Sequence, residues 1–432
     1  MNTPLLILRA LVAALLLPLF TSAPATAQRT LIHAGRLIDG ASDQAREQVT
    51  VIVNGRTIEA VENGYTRPRG DDQVVDLREA TLMPGWIDLH VHIENETSPT
   101  RYLDVFRDND ADIAFKAQSY ARTTLLAGFT TVRDLGGGGV NISLRNAVEA
   151  GLVTGPRIVT VGKSIATTGG HADPTNGRRK DLMGDPTPVM GVVDGPYEAR
   201  EAVRQRYKEG SDHIKITATG GVLSVAKSGK NPQFMEDEVQ AIVETARDYE
   251  MHVAAHAHGE EGMRRAVAAG VLTIEHGTYM SDAVMDLMIE KGTYYVPTIT
   301  AGMYVAEKAE VPGFYPAIIV PKAREIGPQI LGTFERAWKR GVKIAFGTDA
   351  GVFPHGQNAR EFEFMVQAGM PAMDVIQSAT KVASEVLGLQ DSIGTVEPGK
   401  LADLVAVQGD PLRDISVMHQ VVMVMKEGTR HR

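Results

Sequence analysis

The chain contains no cysteine among its 432 residues. Disulfides, thiolate-held zinc, iron–sulfur clusters and thiol catalysis are therefore excluded, and any metal must be held by nitrogen and oxygen donors. Aromatic residues are sparse, at 6% with only two Trp, and no apolar run reaches the roughly 20 residues that a membrane-spanning helix needs. A basic surplus is missing too: 44 Lys+Arg face 53 Asp+Glu, a net charge of −9 with no basic run. That balance argues against nucleic acid or an anionic membrane as a partner. Glycine is plentiful, at 43 residues, which predicts many tight turns between elements. The rest of the composition, 43% hydrophobic and 22% charged, is that of a globular protein.

Residues 1–27 read as a secretory leader. Arg9 precedes an apolar run over 11–20, and a small-residue stretch ends in Ala25-Thr26-Ala27, an A-x-A cleavage pattern. The alternative is an uncleaved anchor or an earlier start than the true one. Cleavage predicts a periplasmic or secreted protein with no membrane attachment.

The remaining chain divides into β-rich ends and a βα-repeating middle. Thr30-Leu31-Ile32, Val51-Ile52-Val53 before the Asn54-Gly55 hairpin signal, and Val74-Val75 predict strands in 28–82. Leu404-Val405-Ala406-Val407 and Val421-Val422-Met423-Val424-Met425 predict more in 386–432. The two ends together suggest a small discontinuous β-sandwich. Between them, over 83–385, eight strand-like runs lie near 86–92, 129–134, 157–162, 213–219, 252–257, 271–276, 293–298 and 342–349. Helical stretches separate them, and Gly270, Gly292 and Gly341 stand where helix C-caps are expected. The pattern predicts an α/β fold, a (β/α)8 TIM barrel. A doubly wound sheet is the alternative, but no Gly-rich dinucleotide motif follows the first strand.

Chemistry gathers at the strand ends. His90 and His92 stand at i and i+2 of the first strand, so both side chains share one face and can chelate one metal. Lys215 lies between Ile214 and Ile216, where a bare ammonium is costly without a partner. Either it forms a buried ion pair, or its amine has taken up CO2 to become an anionic two-oxygen ligand. His256 and His258, His276, and Asp349 end the fifth, sixth and eighth strands. Any one could be a hydrogen-bonded structural side chain. Together His90, His92, Lys215, His256, His276 and Asp349 make a two-metal N/O site. His213, two residues before Lys215, is read as structural.

The motifs Met83-Pro84-Gly85-Trp86-Ile87-Asp88-Leu89-His90-Val91-His92, Gly347-Thr348-Asp349 and Gly394–Leu404 resemble those of the amidohydrolase superfamily. With Thr168-Gly169-Gly170-His171, Lys215 and His256-Ala257-His258-Gly259, they are most similar to its imidazolonepropionase-like, prolidase-like branch, which includes exported dipeptidases and ochratoxin-hydrolysing amidohydrolases. The resemblance covers about 30–430. It implies two divalent ions, zinc first, bridged by an N6-carboxylated Lys215. His90, His92 and Asp349 would hold the buried ion, and His256 and His276 the exposed one. His258 would contact substrate rather than metal. Asp349 would act as proton shuttle, with His258 and His276 also catalytic. His171, His258, Gly221 and Ser224 are candidate substrate contacts. Arg178, Arg179 and Lys180 could bind a substrate carboxylate, or form an ordinary solvated charge run.

The expected reaction is hydrolysis of an amide bond to a C-terminal amino acid in a small molecule, a dipeptide or N-acyl amino acid. Cleavage of ochratoxin A to ochratoxin alpha and phenylalanine is the sharpest case. Alternatives are an Xaa-Pro-type dipeptidase, a ring aminohydrolase or deaminase, and a metal-free binding scaffold. The resemblance also implies a large symmetric homo-oligomer.

Overall fold

The computed structural model describes residues 29–224 and 226–432. The leader expected at 1–27 lies outside the described residues. Among those described, no helix is long and apolar enough to cross a membrane.

The chain begins with four strands: β1 (Arg29–Leu37), β2 (Arg46–Asn54), β3 (Thr57–Asn63) and β4 (Gln73–Pro84). Seven short parallel strands follow: β5 (Trp86–Val91), β6 (Phe129–Asp134), β7 (Arg157–Thr160), β8 (Ile214–Thr217), β9 (Val253–Ala257), β10 (Thr273–His276) and β11 (Tyr294–Val296). The end of the chain adds β12 (Leu404–Gln408), β13 (Val421–Lys426) and β14 (Thr429–Arg430).

Both ends of the chain meet in one sheet, ordered β14-β13-β12-β4-β1-β2-β3. This corrects the expected sandwich: the strands form a single continuous sheet, not two stacked ones. An isolated antiparallel bridge, Thr57–Leu401, brings the β2–β3 hairpin back against the chain entering β12. The sheet thus curls around its own apolar core, which takes Ile32, Val51 and Leu82 from one end and Leu404, Ala406 and Met423 from the other.

The parallel strands fall into two sheets, β5-β6-β7 and β11-β10-β9-β8. Their residues are almost all buried on both faces, as strands covered by helices require. Helices such as Glu236–Asp248, Glu260–Ala269, Asp282–Lys291 and Val320–Arg340 supply the crossovers. Three of the expected glycine C-caps are left-handed, with φ of 97° at Gly270, 73° at Gly292 and 91° at Gly341. The eighth strand expected at 342–349 forms no ladder. It is bridged once to each neighbour, Tyr295–Ile344 and Val91–Ala350, with backbone hydrogen bonds to both sides such as Ala345 N–H to the Tyr295 carbonyl at 3.0 Å and Asp349 N–H to the His90 carbonyl at 2.7 Å, while Ile165–Ile216 links the other two sheet edges. Local geometry explains the missing pleat. Asp349 has φ 62°. At Gly347 a Cβ would lie 2.4 Å from Val296 Cγ1 and 3.0 Å from the His90 nitrogen, so the segment rides too close to β5 and β11 for a side chain.

Candidate metal centre

The C-terminal ends of β5, β8, β9 and β10, with the 347–352 segment, open into one cavity of about 230 Å³. His90, His92, Lys215, Thr217, His256, His258, His276 and Asp349 line it. The period-two rule that put His90 and His92 on one face therefore holds in three dimensions.

Two groups of donor atoms stand out. One ring nitrogen from each of His90 and His92 and one oxygen of Asp349 lie within 4.8 Å of one another. The nearest pairs are His90 Nε2 and His92 Nε2 to Asp349 Oδ1, at 3.5 and 3.3 Å. His256, His258 and His276 form the second group on the same criterion. The sequence reading set His258 apart from the ligands; the structure draws it into this cluster, its ring stacked on His276 at 5.0 Å.

Each imidazole is held by its far nitrogen. His90 Nδ1–H donates to Glu275 at 2.9 Å and His92 Nδ1–H to the Gly136 carbonyl at 2.7 Å. His258 Nδ1 pairs with Thr278 Oγ1 at 2.8 Å and His276 Nδ1 with Thr298 Oγ1 at 2.7 Å. These contacts leave Nε2 aimed at the cavity. His256 is reversed: its Nε2–H donates to the Gly220 carbonyl at 3.1 Å, leaving Nδ1. Partners of this kind fix ring orientation and tautomer at metal sites. His276 and Asp349 are themselves in the left-handed region, φ 71° and 62°, and so is Thr298 at 54°. Such strain persists only where the surroundings hold it, and it clusters at functional positions.

The electrostatics suit cation binding. Burial holds the imidazoles neutral, reinforced by neighbouring charges: His92 falls to about 4, His171 and His258 to about 3, and His90, His256 and His276 well below the usual value. Neutral imidazole is the ligating form. Burial pushes the Lys215 amine down and the Asp349 carboxyl up. Lys215 is 3% exposed; its backbone carbonyl accepts from Ile165 N–H at 2.7 Å, while its amine makes no ion pair or side-chain hydrogen bond among the described residues. His90 Nε2 and Asp349 Oδ1 are likewise buried without a hydrogen-bond partner. Orphaned polar atoms converging on one cavity are costly unless something satisfies them. The donor set, all nitrogen and oxygen, fits divalent ions such as zinc.

Other expected residues separate. His171 lines the central cavity and stacks on His256 at 4.3 Å. Ser224 pairs with His171 but lines an adjoining cavity of about 380 Å³ instead. Gly221 lines neither; a Cβ there would strike the His171 ring at 2.2 Å, so it backs that ring. Arg178 reaches only the adjoining cavity, while Arg179 and Lys180 are exposed and paired with Asp181 and Asp185. His213 stacks on His252 and stays out of the cavity.

The sequence reading missed the supports. Glu275 also receives Arg133 Nη2 at 2.9 Å, and Arg133 donates to the Leu89 carbonyl at 2.7 Å, so β5, β6 and β10 are tied beneath His90. Asp88 accepts from the Thr348 amide and hydroxyl at 3.0 and 2.6 Å and from Asn358 at 2.8 Å, fixing the segment that carries Asp349. A lone Glu within the apolar run before His276 was the available signal, of the same kind as Lys215.

The sequence model of the amidohydrolase family matches residues 81–430. A crystal structure of a Xaa-Pro dipeptidase with methionine bound in its active site is 53% identical, with a TM-score of 0.91, covering 94% of this chain and 100% of that one. A prolidase solved with N-methylphosphonate-L-proline is 33% identical with a TM-score of 0.85, covering 94% of this chain and 100% of that one. The ochratoxinase of Aspergillus niger is 30% identical over 426 residues, 93% of this chain and 86% of its own. Its crystal structure gives a TM-score of 0.81 at 29% identity, covering 94% of this chain and 96% of that one.

Proposed function

This chain belongs to the amidohydrolase family, and from that premise we propose a two-metal hydrolase that releases a C-terminal amino acid from an N-acyl amino acid or dipeptide. One observation carries the reading: the two donor groups and the unpartnered Lys215 share a single buried cavity. We read β5–β11 and the 342–350 segment as a (β/α)8 barrel whose last strand is joined by single bridges.

His90, His92 and Asp349 would hold one ion, and His256 and His276 the other, with His258 available to either metal or substrate. Lys215 would bridge them as a carbamate. The neutral amine attacks CO2, the N–C bond forms, and one proton leaves to solvent. The burial that lowers amine basicity favours this step. When bound, divalent ions supply Lewis-acid polarisation of a carbonyl and acidification of water. Asp349 Oδ1, which has no other hydrogen-bond partner, takes the proton of the attacking water and returns it to the departing nitrogen. His258, anchored by Thr278, presents its outer nitrogen to the carbonyl oxygen as charge develops there. The same reading includes export with removal of 1–27, and assembly into a homo-oligomer.

The preferred substrate class is an N-acyl-phenylalanine, ochratoxin A included, supported by the ochratoxinase relative. A second reading, Xaa-Pro dipeptidase, is favoured by the name of the 53% identical structure. A panel of N-acyl amino acids, ochratoxin A, Xaa-Pro dipeptides and ring aminohydrolase substrates tests both. Faster release of phenylalanine from the first two supports the first reading, and faster proline release selects the second. Ammonia release from ring substrates, with no amino acid release from the others, overturns both.

A further inference from the structure

The central and adjoining cavities meet at Asn95, Arg101, His171 and Leu223, which line both. Apart from Lys215 and Asp349, Arg101 is the one charged side chain lining the central cavity among the described residues. Among the described residues its guanidinium has no carboxylate within ion-pair distance and no side-chain hydrogen bond, and the Tyr102 ring centroid lies 5.8 Å from its Cζ. The acids near it are committed elsewhere. Glu94 accepts the amides of Gly138 and Asn141, Glu96 that of His355, Asp104 the Thr100 hydroxyl, and Asp108 pairs with Lys116. A guanidinium presents a planar fork of donors matched to a carboxylate. Val222, Leu223, Val305, Ile326, Ile330 and Val352 give the wall an apolar stretch.

We propose that Arg101 is the anchor for the free α-carboxylate of the substrate's C-terminal amino acid, with an apolar side chain of that residue against the Val305–Ile330 wall. This rests on the amide-hydrolase reading above and deepens it. A ligand seated so would satisfy Arg101 while its amide carbonyl faces the donor groups on β5 and β9. Arg101 also replaces Arg179 and Lys180 as carboxylate partner, since both of these are exposed and paired.

The holoenzyme is assayed with hippuryl-L-phenylalanine and with its C-terminal amide, as wild type, R101Q and R101K. Wild type should favour the acid over the amide in kcat/KM by about 30-fold, the size of a charge-assisted hydrogen-bond pair. R101Q should erase that preference through KM for the acid, leaving the amide little changed, and R101K should restore part of it. An acid-to-amide ratio unchanged in R101Q, or an equal loss on both substrates, overturns the proposal. Calorimetric binding of L-phenylalanine and L-phenylalaninamide to the same proteins separates the two layers. If wild type prefers phenylalanine, R101Q does not, and neither substrate is hydrolysed, the reaction assignment fails and the anchor stands. If hydrolysis proceeds and R101Q binds phenylalanine as wild type does, the anchor fails and the reaction stands.

Discussion

Replacing Glu275 by Gln perturbs the metal centre without changing any group that lines its cavity. The carboxylate accepts His90 Nδ1–H at 2.9 Å, Arg133 Nη2 at 2.9 Å and the Thr273 hydroxyl, all at zero or near-zero exposure. An amide keeps one acceptor oxygen but removes the negative charge, so the buried Arg133 loses its counter-ion. Breaking a buried pair costs about 3–5 kcal/mol. The retained bond from Arg133 to the Leu89 carbonyl argues for the lower end, about 3 kcal/mol. At the metal, an outer partner of a ligating histidine is worth about 10–100-fold in affinity, or about 1.4–2.7 kcal/mol. Chelator-competition titration with zinc reads the second effect, and urea unfolding of the metal-free protein the first. Glu361→Gln is the matched control. Glu361 is equally buried but accepts the amides of Ile299 and Thr300 at 2.8 and 2.7 Å, outside the metal cavity. E275Q should lose zinc affinity and stability, and E361Q should keep wild-type zinc affinity. A folded E275Q with unchanged zinc affinity would refute the claim that Glu275 orients His90 for a metal.

Glu361 carries a pH prediction of its own. Burial pushes its carboxyl from 4.5 up to about 8. The folded state therefore binds more protons than the unfolded state between these values, and wild type loses stability as pH rises through that window. E361Q lacks this loss, so unfolding at pH 5 and pH 8 should show the variant gaining on wild type by up to about 4 kcal/mol; a pH-independent difference contradicts the argument. Gly347→Ala would place a Cβ against Val296 and the His90 nitrogen. It should cost about 1–3 kcal/mol in stability by overpacking and at least about 10-fold in kcat by displacing Asp349 from His90, measured by thermal unfolding and turnover. Exported protein should begin at Gln28 on N-terminal sequencing; a retained Met1 would contradict the leader assignment.

What the sequence made legible is what periodicity and residue type encode locally. His90 and His92 share a face because a strand alternates. Lys215 stands out because an amine among isoleucines needs a reason. The C-caps at Gly270, Gly292 and Gly341 follow from the left-handed turn each helix end requires. The β-rich ends were visible as one unit, yet that they form one sheet rather than two depends on the antiparallel pairing of β12 with β4, between residues far apart in sequence. The eighth strand looked regular because its apolar run is regular; the close approach at Gly347 and the reversed φ of Asp349 are tertiary facts. The Glu275–Arg133 pair joins β10 to β6, and no spacing rule links them. Arg101 was invisible as a cavity residue for the same reason. It opens a four-residue helix, Arg101–Asp104, in the connection after β5, a helix too short for a 3.6 period to say which way a side chain points. The run at 178–180 attracted attention instead because its charges are adjacent.

Metal stoichiometry and turnover, measured together on wild type and Lys215→Ala, test the central claim most directly. Wild type purified with zinc should carry two ions per chain and release phenylalanine from an N-acyl-phenylalanine. The variant, lacking the bridging group, should carry fewer than two and lose activity by at least about 1000-fold, the loss of a residue that assembles the reacting site. Wild type that binds no metal, or a Lys215→Ala variant that keeps both ions and full amidase activity, would contradict the account.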